Sequence, residues 1–260
     1  MKGFKKFVLD IVMGAVIPIL ILNNLSRPLG APAAYVIAAL VPVVYILVDT
    51  LVITRRFNFI TSYTASTAIL NGALAFWFVD GILYAFKDTA SAIMNLLLFG
   101  GSVIIGRPIL RFFLLQALNP DTPQRHTTIG ELMKENPVAR SLAIGTLIIT
   151  ADSLIIGLAN FWLNYSNVVA PFGTELFNLQ IAQVNAFTRV AFPVFGLASY
   201  SIGIGLVFRA MYRCLPSEQG KSQVESDFMK MIDLWRAQRG AAALQPEPAA
   251  ALPDSDRLNL

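Results

Sequence analysis

Apolar residues run along this chain in blocks of about twenty, and the polar stretches between them hold most of the ionisable side chains. At roughly 1.5 Å of rise per residue, a helix of that length crosses a hydrocarbon core of about 30 Å. The pattern predicts six such spans, over 7–25, 33–53, 59–79, 89–106, 141–163 and 187–209. The expected fold class is all-α: a polytopic membrane protein with six transmembrane helices in one bundle over 1–213. Outside the spans, two segments read as helical. In the loop 119–137, Thr128 and Glu131 have capping-box spacing for one short helix. In the tail, Val224, Phe228, Met231, Ile232 and Trp235 share one face over 221–239, which predicts an amphipathic helix within a unit 214–240. The Ala- and Pro-rich remainder, 241–260, has the composition of a disordered tail.

Within the spans, Pro18, Pro42 and Pro193 each remove a backbone hydrogen bond and kink a helix. The kinks serve either bundle shape or a break that bares carbonyls to a solute. Small residues four apart suit close helix packing: Ser62 with Ser66, Ala68 with Gly72, Ser199 with Gly203, and Ser201 with Gly205.

Of 260 residues, 55% are hydrophobic and 14% charged, where an ordinary soluble domain carries roughly 25% charged. The net charge of +4 divides into +6 for 1–213 and −2 for 214–260, so the basic excess belongs to the membrane portion and suits anionic lipid headgroups. No basic and aromatic stripe of the nucleic-acid kind accompanies it. With six spans both termini share a side, whose loops hold 12 basic residues against Arg27, Lys87 and Arg189 opposite. The positive-inside rule then puts both termini in the cytoplasm. Lys2, Lys5 and Lys6 before an apolar run, with Ala31-Pro32-Ala33 after it, imitate a cleavable signal, but the run is too long for one and contains Asp10.

Ionisable residues inside a span point to function, because each costs about 3 kcal/mol near the helix centre even on insertion scales. Four qualify: Asp10, Asp49, Asp152 and Arg189. Asp10 and Asp49 lie near span ends, beside Lys6 or beside Arg55 and Arg56, and read first as interfacial carboxylates paired with cations. Asp152 lies mid-span in Thr150-Ala151-Asp152-Ser153, and two readings stay open for it: a structural hydrogen-bonded acid, or a proton or solute site. Arg189, expected to start the sixth helix, has the stem length to reach inward toward it.

Other chemistry is scarce. A single Cys214 excludes a disulfide framework, and a single His126 leaves too few ligands for zinc, haem or a di-iron centre, so no metal and no cofactor is expected. No nucleotide-binding glycine signature follows a strand, no lysine lies mid-span for a retinal Schiff base, and Asp49 and Asp152 do not match in depth as a proteolytic pair. The expectation is a protein that is not an enzyme.

Four features in order carry a resemblance: a basic start followed by Asp10; Arg55-Arg56 after the second span; Phe86-Lys87-Asp88-Thr89 before the fourth; and Gly106-Arg107-Pro108-Ile109-Leu110-Arg111 at its end. In this the chain resembles the intracellular septation protein A family of YciB-type, inner membrane-spanning bacterial proteins. There a Phe-x-Lys-Pro-Thr-like run precedes a helix ending in Gly-Lys-Pro-Leu-Ile. The match covers roughly 4–213 and is most specific over 78–111, with Leu158-Ala159-Asn160-Phe161 and Phe187-Thr188-Arg189-Val190-Ala191-Phe192 looser. Asp88 stands where the family has proline and Arg107 where it has lysine, and the C-terminal tail is long. The resemblance implies a maintenance role in the bacterial cell envelope, from the inner membrane. It brings no catalytic residues, and it adds Lys87 and Arg107 to the candidates.

Three functions are thus expected in turn: a non-enzymatic envelope scaffold; a small proton, solute or lipid transporter or channel built around Asp152; and an accessory subunit of a larger membrane complex. The lipid bilayer is a partner in each, and membrane-protein partners would meet the bundle surface and residues 221–239. A polar cavity reaching Asp152 favours transport; a tightly packed interior favours scaffold or subunit.

Overall fold

The computed structural model describes residues 9, 12–49, 52, 59–223 and 225–243, and among these it is built of helices and turns with no strand. The helices are α1 (Val12–Asn24), α2 (Ala31–Val48), α3 (Phe59–Ala75), α4 (Gly81–Asp88), α5 (Ala90–Ile104), α6 (Leu110–Leu118), α7 (Pro123–Leu132), α8 (Asn136–Asn167), α9 (Glu175–Cys214) and α10 (Phe228–Ala243), with a single helical turn, Ser26–Leu29, between α1 and α2. Helices α2, α8 and α9 are long and apolar enough to cross a membrane. The pair α4 and α5, bent by 45° at the break between them, makes a fourth if it is one span. Helix α1 is apolar but shorter, and α3, with Thr61, Ser62, Thr64, Ser66 and Thr67 in its first half, is shorter and more polar than the three.

The last two bundle helices start earlier than hydropathy predicts. Helix α8 begins at Asn136 rather than 141, and α9 at Glu175 rather than 187, which makes α9 a rod of 40 residues. The reason is that the polar residues before 187 are satisfied inside the helix end. Thr174 caps α9 by accepting from the Phe177 amide at 3.1 Å. Gln180 accepts from the amides of Val169 and Ala170, and Asn178 donates to Ser26 Oγ and to the Ala31 carbonyl. Arg189 therefore lies fourteen residues inside α9, not at its entrance.

Phe86-Lys87-Asp88-Thr89 is likewise not a loop before a helix: Lys87 and Asp88 end α4, and Thr89 occupies the break, its hydroxyl donating to the Ala85 carbonyl. Gly106, at φ 73°, closes α5 in a Schellman-type turn, with the Arg107 amide bonded to the Ser102 carbonyl at 2.8 Å. The chain re-enters helix at Leu110, so Arg111 rides on α6.

Helices α8 and α9 meet backbone to backbone. A Cβ on Gly145 would stand 2.9 Å from the Gly203 carbonyl oxygen, and one on Gly203 would stand 3.1 Å from that of Gly145. Gly72 instead makes room for a side chain: a Cβ there would stand 3.2 Å from Val43 Cγ1 of α2. Of the small residues paired in the sixth span, Gly203 makes the contact; Gly205 has open space around it.

Two separate apolar cores hold the helices, one toward each end. One gathers Phe99, Leu110, Leu114, Ile129, Leu132, Val138, Leu142, Ile149, Val207 and Met211, with Tyr63, Phe113 and Tyr200 packed on it. The other gathers Ile21, Leu22, Tyr35, Ala38, Tyr84, Val168, Phe177 and Ile181. Each is closed by rings in edge-to-face or stacked contact: Tyr63, Phe99 and Phe113 in the first, Tyr35, Tyr84, Phe172 and Phe177 in the second. Along α8, Val138, Leu142 and Ile149 belong to the first core and Leu163, with Val168 just past the helix end, to the second. Along α9 the order reverses. The stretch between the cores is where packing stops.

The tail returns onto the first core. Helix α7 starts at Thr122, whose hydroxyl accepts from the Arg125 amide, with Pro123 in the first turn; Thr128, the cap expected from spacing, donates instead to the Gln124 carbonyl within the helix. A Thr followed by Pro is the stronger start because proline lacks the amide that a first turn leaves unbonded. Helix α10 begins at Phe228 rather than 221 and continues to Ala243. Met231 and Ile232 are fully buried and Trp235 nearly so, against the same core. Val224 and the stretch 244–260 lie outside the described residues.

Candidate functional site

Between the two cores lies a cavity of about 630 Å³. Every bundle helix from α1 to α5, together with α8 and α9, contributes to its wall, and the wall mixes apolar side chains with charged and polar ones where a packed interior would be apolar. It holds two cations, Lys87 and Arg189, and two carboxylates, Asp88 and Asp152. Asn71, Asn95, Asn160 and Asn185 add amides, and Ser91, Ser153, Thr188, Tyr35 and Tyr200 add hydroxyls.

Three of the four charges are held by the protein itself. Lys87 is buried; its ammonium donates to the Trp77 carbonyl and stands 4.8 Å from the centre of the Tyr35 ring, a cation over an aromatic face. Asp88 accepts from Asn160 Nδ2 at 3.0 Å and Asn164 Nδ2 at 2.9 Å, two amides one turn apart on α8. Arg189 donates from Nη1 to the Gly14 carbonyl. Gly14 sits in the π-helical turn Val12–Val16 that opens the described part of α1, where the wider winding departs from the regular ladder. Pro193, four residues beyond Arg189, removes the amide that would bond the Arg189 carbonyl, and Pro42 does the same for Ala38; both prolines line the cavity.

Asp152 is held differently. It lies at the middle of α8, half-buried, with Gly196 and Tyr200 of α9 facing the same space. Among the described residues its carboxylate makes no hydrogen bond and no ion pair. Asp88 is bonded to Asn160, eight residues further along the same helix, which is a separation of about 12 Å along the axis. The cavity is therefore polarised: Lys87, Asp88 and Arg189 with a net single positive charge toward one end, and Asp152 toward the other.

The sequence candidates divide accordingly. Asp152 and Arg189 share the cavity, without an ion pair between them, and Lys87 joins them. Asp49 follows the last residue of α2, beyond Ile46, the cavity-lining residue of that helix nearest to it in sequence. Arg107 is in the exposed turn after α5 and does not line the cavity. Asp10 lies outside the described residues, as do Lys6, Arg55 and Arg56, the cations expected beside Asp10 and Asp49. Asp88 and the asparagines were missed by a search limited to ionisable groups within predicted spans; Asn71, Asn95 and Asn160 interrupt apolar runs and were a signal in themselves.

No metal-ligating group of three or more His, Cys, Asp or Glu side chains occurs among the described residues. No family model, curated protein or solved structure matches the chain.

Proposed function

We propose that the chain is a six-span protein of the bacterial inner membrane, both termini cytoplasmic, that is not an enzyme but carries a small zwitterionic solute through this cavity. The carrying observation is Asp152, a carboxylate that bonds to no partner among the described residues, in the wall of a charge-lined cavity near the middle of a membrane-length helix. An ionised carboxylate held out of bulk water calls for a cation. Asp88 offsets one of the two cations at the far end, leaving one positive charge to meet an anion. A solute bearing one ammonium and one phosphodiester or carboxylate satisfies both ends, and its own net charge of zero keeps the loaded site neutral. Apolar cores on either side of the site fit an occluded state, in which a carrier opens one end at a time.

The envelope scaffold and accessory-subunit readings, and with them membership in the septation protein A family, remain proposals of a different kind: neither needs a charged cavity, and both would be served by a packed interior. The test is glycerophosphoethanolamine, whose phosphodiester carries a single negative charge, against free ethanolamine and glycerol phosphate, each offered to the purified protein in dodecyl maltoside and to proteoliposomes. Glycerophosphoethanolamine should bind and accumulate in preference to either half, and Asp152→Asn should weaken binding about tenfold or more while the protein stays folded. Binding that is absent, or indifferent to Asp152→Asn, returns the protein to the scaffold reading.

A further inference from the structure

A second, apolar recess of about 160 Å³ lies on the outside of the bundle, in the seam between α5 and α8. Its wall is formed chiefly by Phe86, Ile93, Leu96, Leu154, Leu158 and Phe161. Leu154, Leu158 and Phe86 are exposed there, on a surface that faces hydrocarbon if α8 spans the membrane. The recess exists because the two helices touch at small residues. A Cβ on Gly157 would stand 3.0 Å from that of Ala92, and one on Gly100 would stand 3.2 Å from Thr150 Cγ2. Those contacts pin the seam at two points. Ser153 lies between Thr150 and Gly157 on the same face of α8, and opposite it α5 is wound as a π-helix over Leu96–Gly100. Ser153 and Ala92 line both the recess and the charged cavity, so one layer of small side chains divides oil from charge.

We propose that the ligand of the cavity is an amphiphile: its zwitterionic headgroup enters past Ser153 from the bilayer, and its acyl chain lies in the α5–α8 recess. This rests on the proposed carrier function and narrows its substrate to a single-chain lipid. Charge fixes the headgroup, because Asp152 takes the ammonium and the Lys87 and Arg189 end takes the phosphate. Continuity fixes the chain, because the residues at the crossing wall both spaces. A water-soluble solute would have no use for the recess.

The test compares lysophosphatidylethanolamine with glycerophosphoethanolamine, its deacylated form, which share the phosphodiester headgroup and differ in the acyl chain, on full-length protein in dodecyl maltoside. The lysolipid should bind about tenfold or more tightly than the headgroup alone, since each methylene moved out of water contributes about fourfold. Leu158→Trp and, separately, Leu154→Trp fill the recess from exposed positions that the cores do not use. Each should remove the advantage of the lysolipid and leave glycerophosphoethanolamine unchanged, which excludes mere partitioning of the chain into the micelle. Asp152→Asn should weaken both. Equal affinity for the two compounds, or an advantage that survives both tryptophan variants, overturns the amphiphile assignment while leaving a soluble zwitterion in the cavity. Failure of glycerophosphoethanolamine to bind at all overturns the carrier reading and this one together.

Discussion

Two carboxylates in one cavity wall, Asp88 and Asp152, differ in what already binds them, and asparagine tells them apart. Asp88 receives the amides of Asn160 and Asn164. Asp88→Asn puts an amide where those donors expect a charged acceptor and should cost about 1–3 kcal/mol, read as a lower unfolding temperature in detergent. Asp152→Asn removes a charge that no described residue contacts, so it should leave that temperature unchanged while altering binding. A sequence without its structure shows only half of this. Asp152 stands out as a lone acid inside an apolar run, and Arg189 follows it as a long cation in another. Lys87 and Asp88 sit at the edge of a predicted span and read as loop, because a helix broken at Thr89 has the same hydropathy as a helix that starts there. The asparagines carry no charge and so escape a search for ions, although an amide in hydrocarbon needs a partner as much as a carboxylate does.

At the scale of elements, the contact of Gly145 with Gly203 joins the two longest helices with no side chain between them. Gly203→Ala should cost about 1–3 kcal/mol by forcing α8 and α9 apart, and Gly205→Ala, two residues on and in open space, should cost nothing measurable. Thermal unfolding of the two variants side by side decides it. Small residues at spacing four announced both glycines in the sequence, yet only the structure distinguishes the one that faces α8. The amphipathic tail was equally legible in its apolar face, while its docking partner was not. Arg125 of α7 reaches both Asp121 and, at 2.6 Å, Asp233 of α10, and Arg239 pairs with Glu135 and lies over the Trp235 ring. The hydrogen bonds from Arg125 hold the Asp233 carboxyl below its usual range. A depressed pKa means that this contribution to docking is present above the ordinary carboxylate range and is lost as pH falls through the lowered value. Limited proteolysis should therefore find α10 protected near neutral pH and released in acid, and Phe228→Asp with Trp235→Asp should release it at any pH without unfolding the bundle.

For the whole molecule, charge distribution predicts orientation: a reporter fused after Arg213 should be active only as a cytoplasmic fusion, and activity restricted to the far side would contradict the six-span topology. Hydropathy conveyed that the chain is helical and apolar enough for a membrane, but it smoothed over the fact that α8 and α9 each run from one core through a polar stretch to the second. That alternation depends on which neighbours a residue meets, and no window along one strand of sequence contains them. The length of α9 has a mechanical corollary. From Gly203 the rod extends roughly 39 Å to Phe177 in one direction and roughly 17 Å to Cys214 in the other. A tilt of the rod about that contact that barely disturbs the core beneath α10 would swing the Phe177 ring more than twice as far. On the carrier reading, the aromatic cluster of Tyr35, Tyr84, Phe172 and Phe177 would then be the gate, and the end under the tail its anchor.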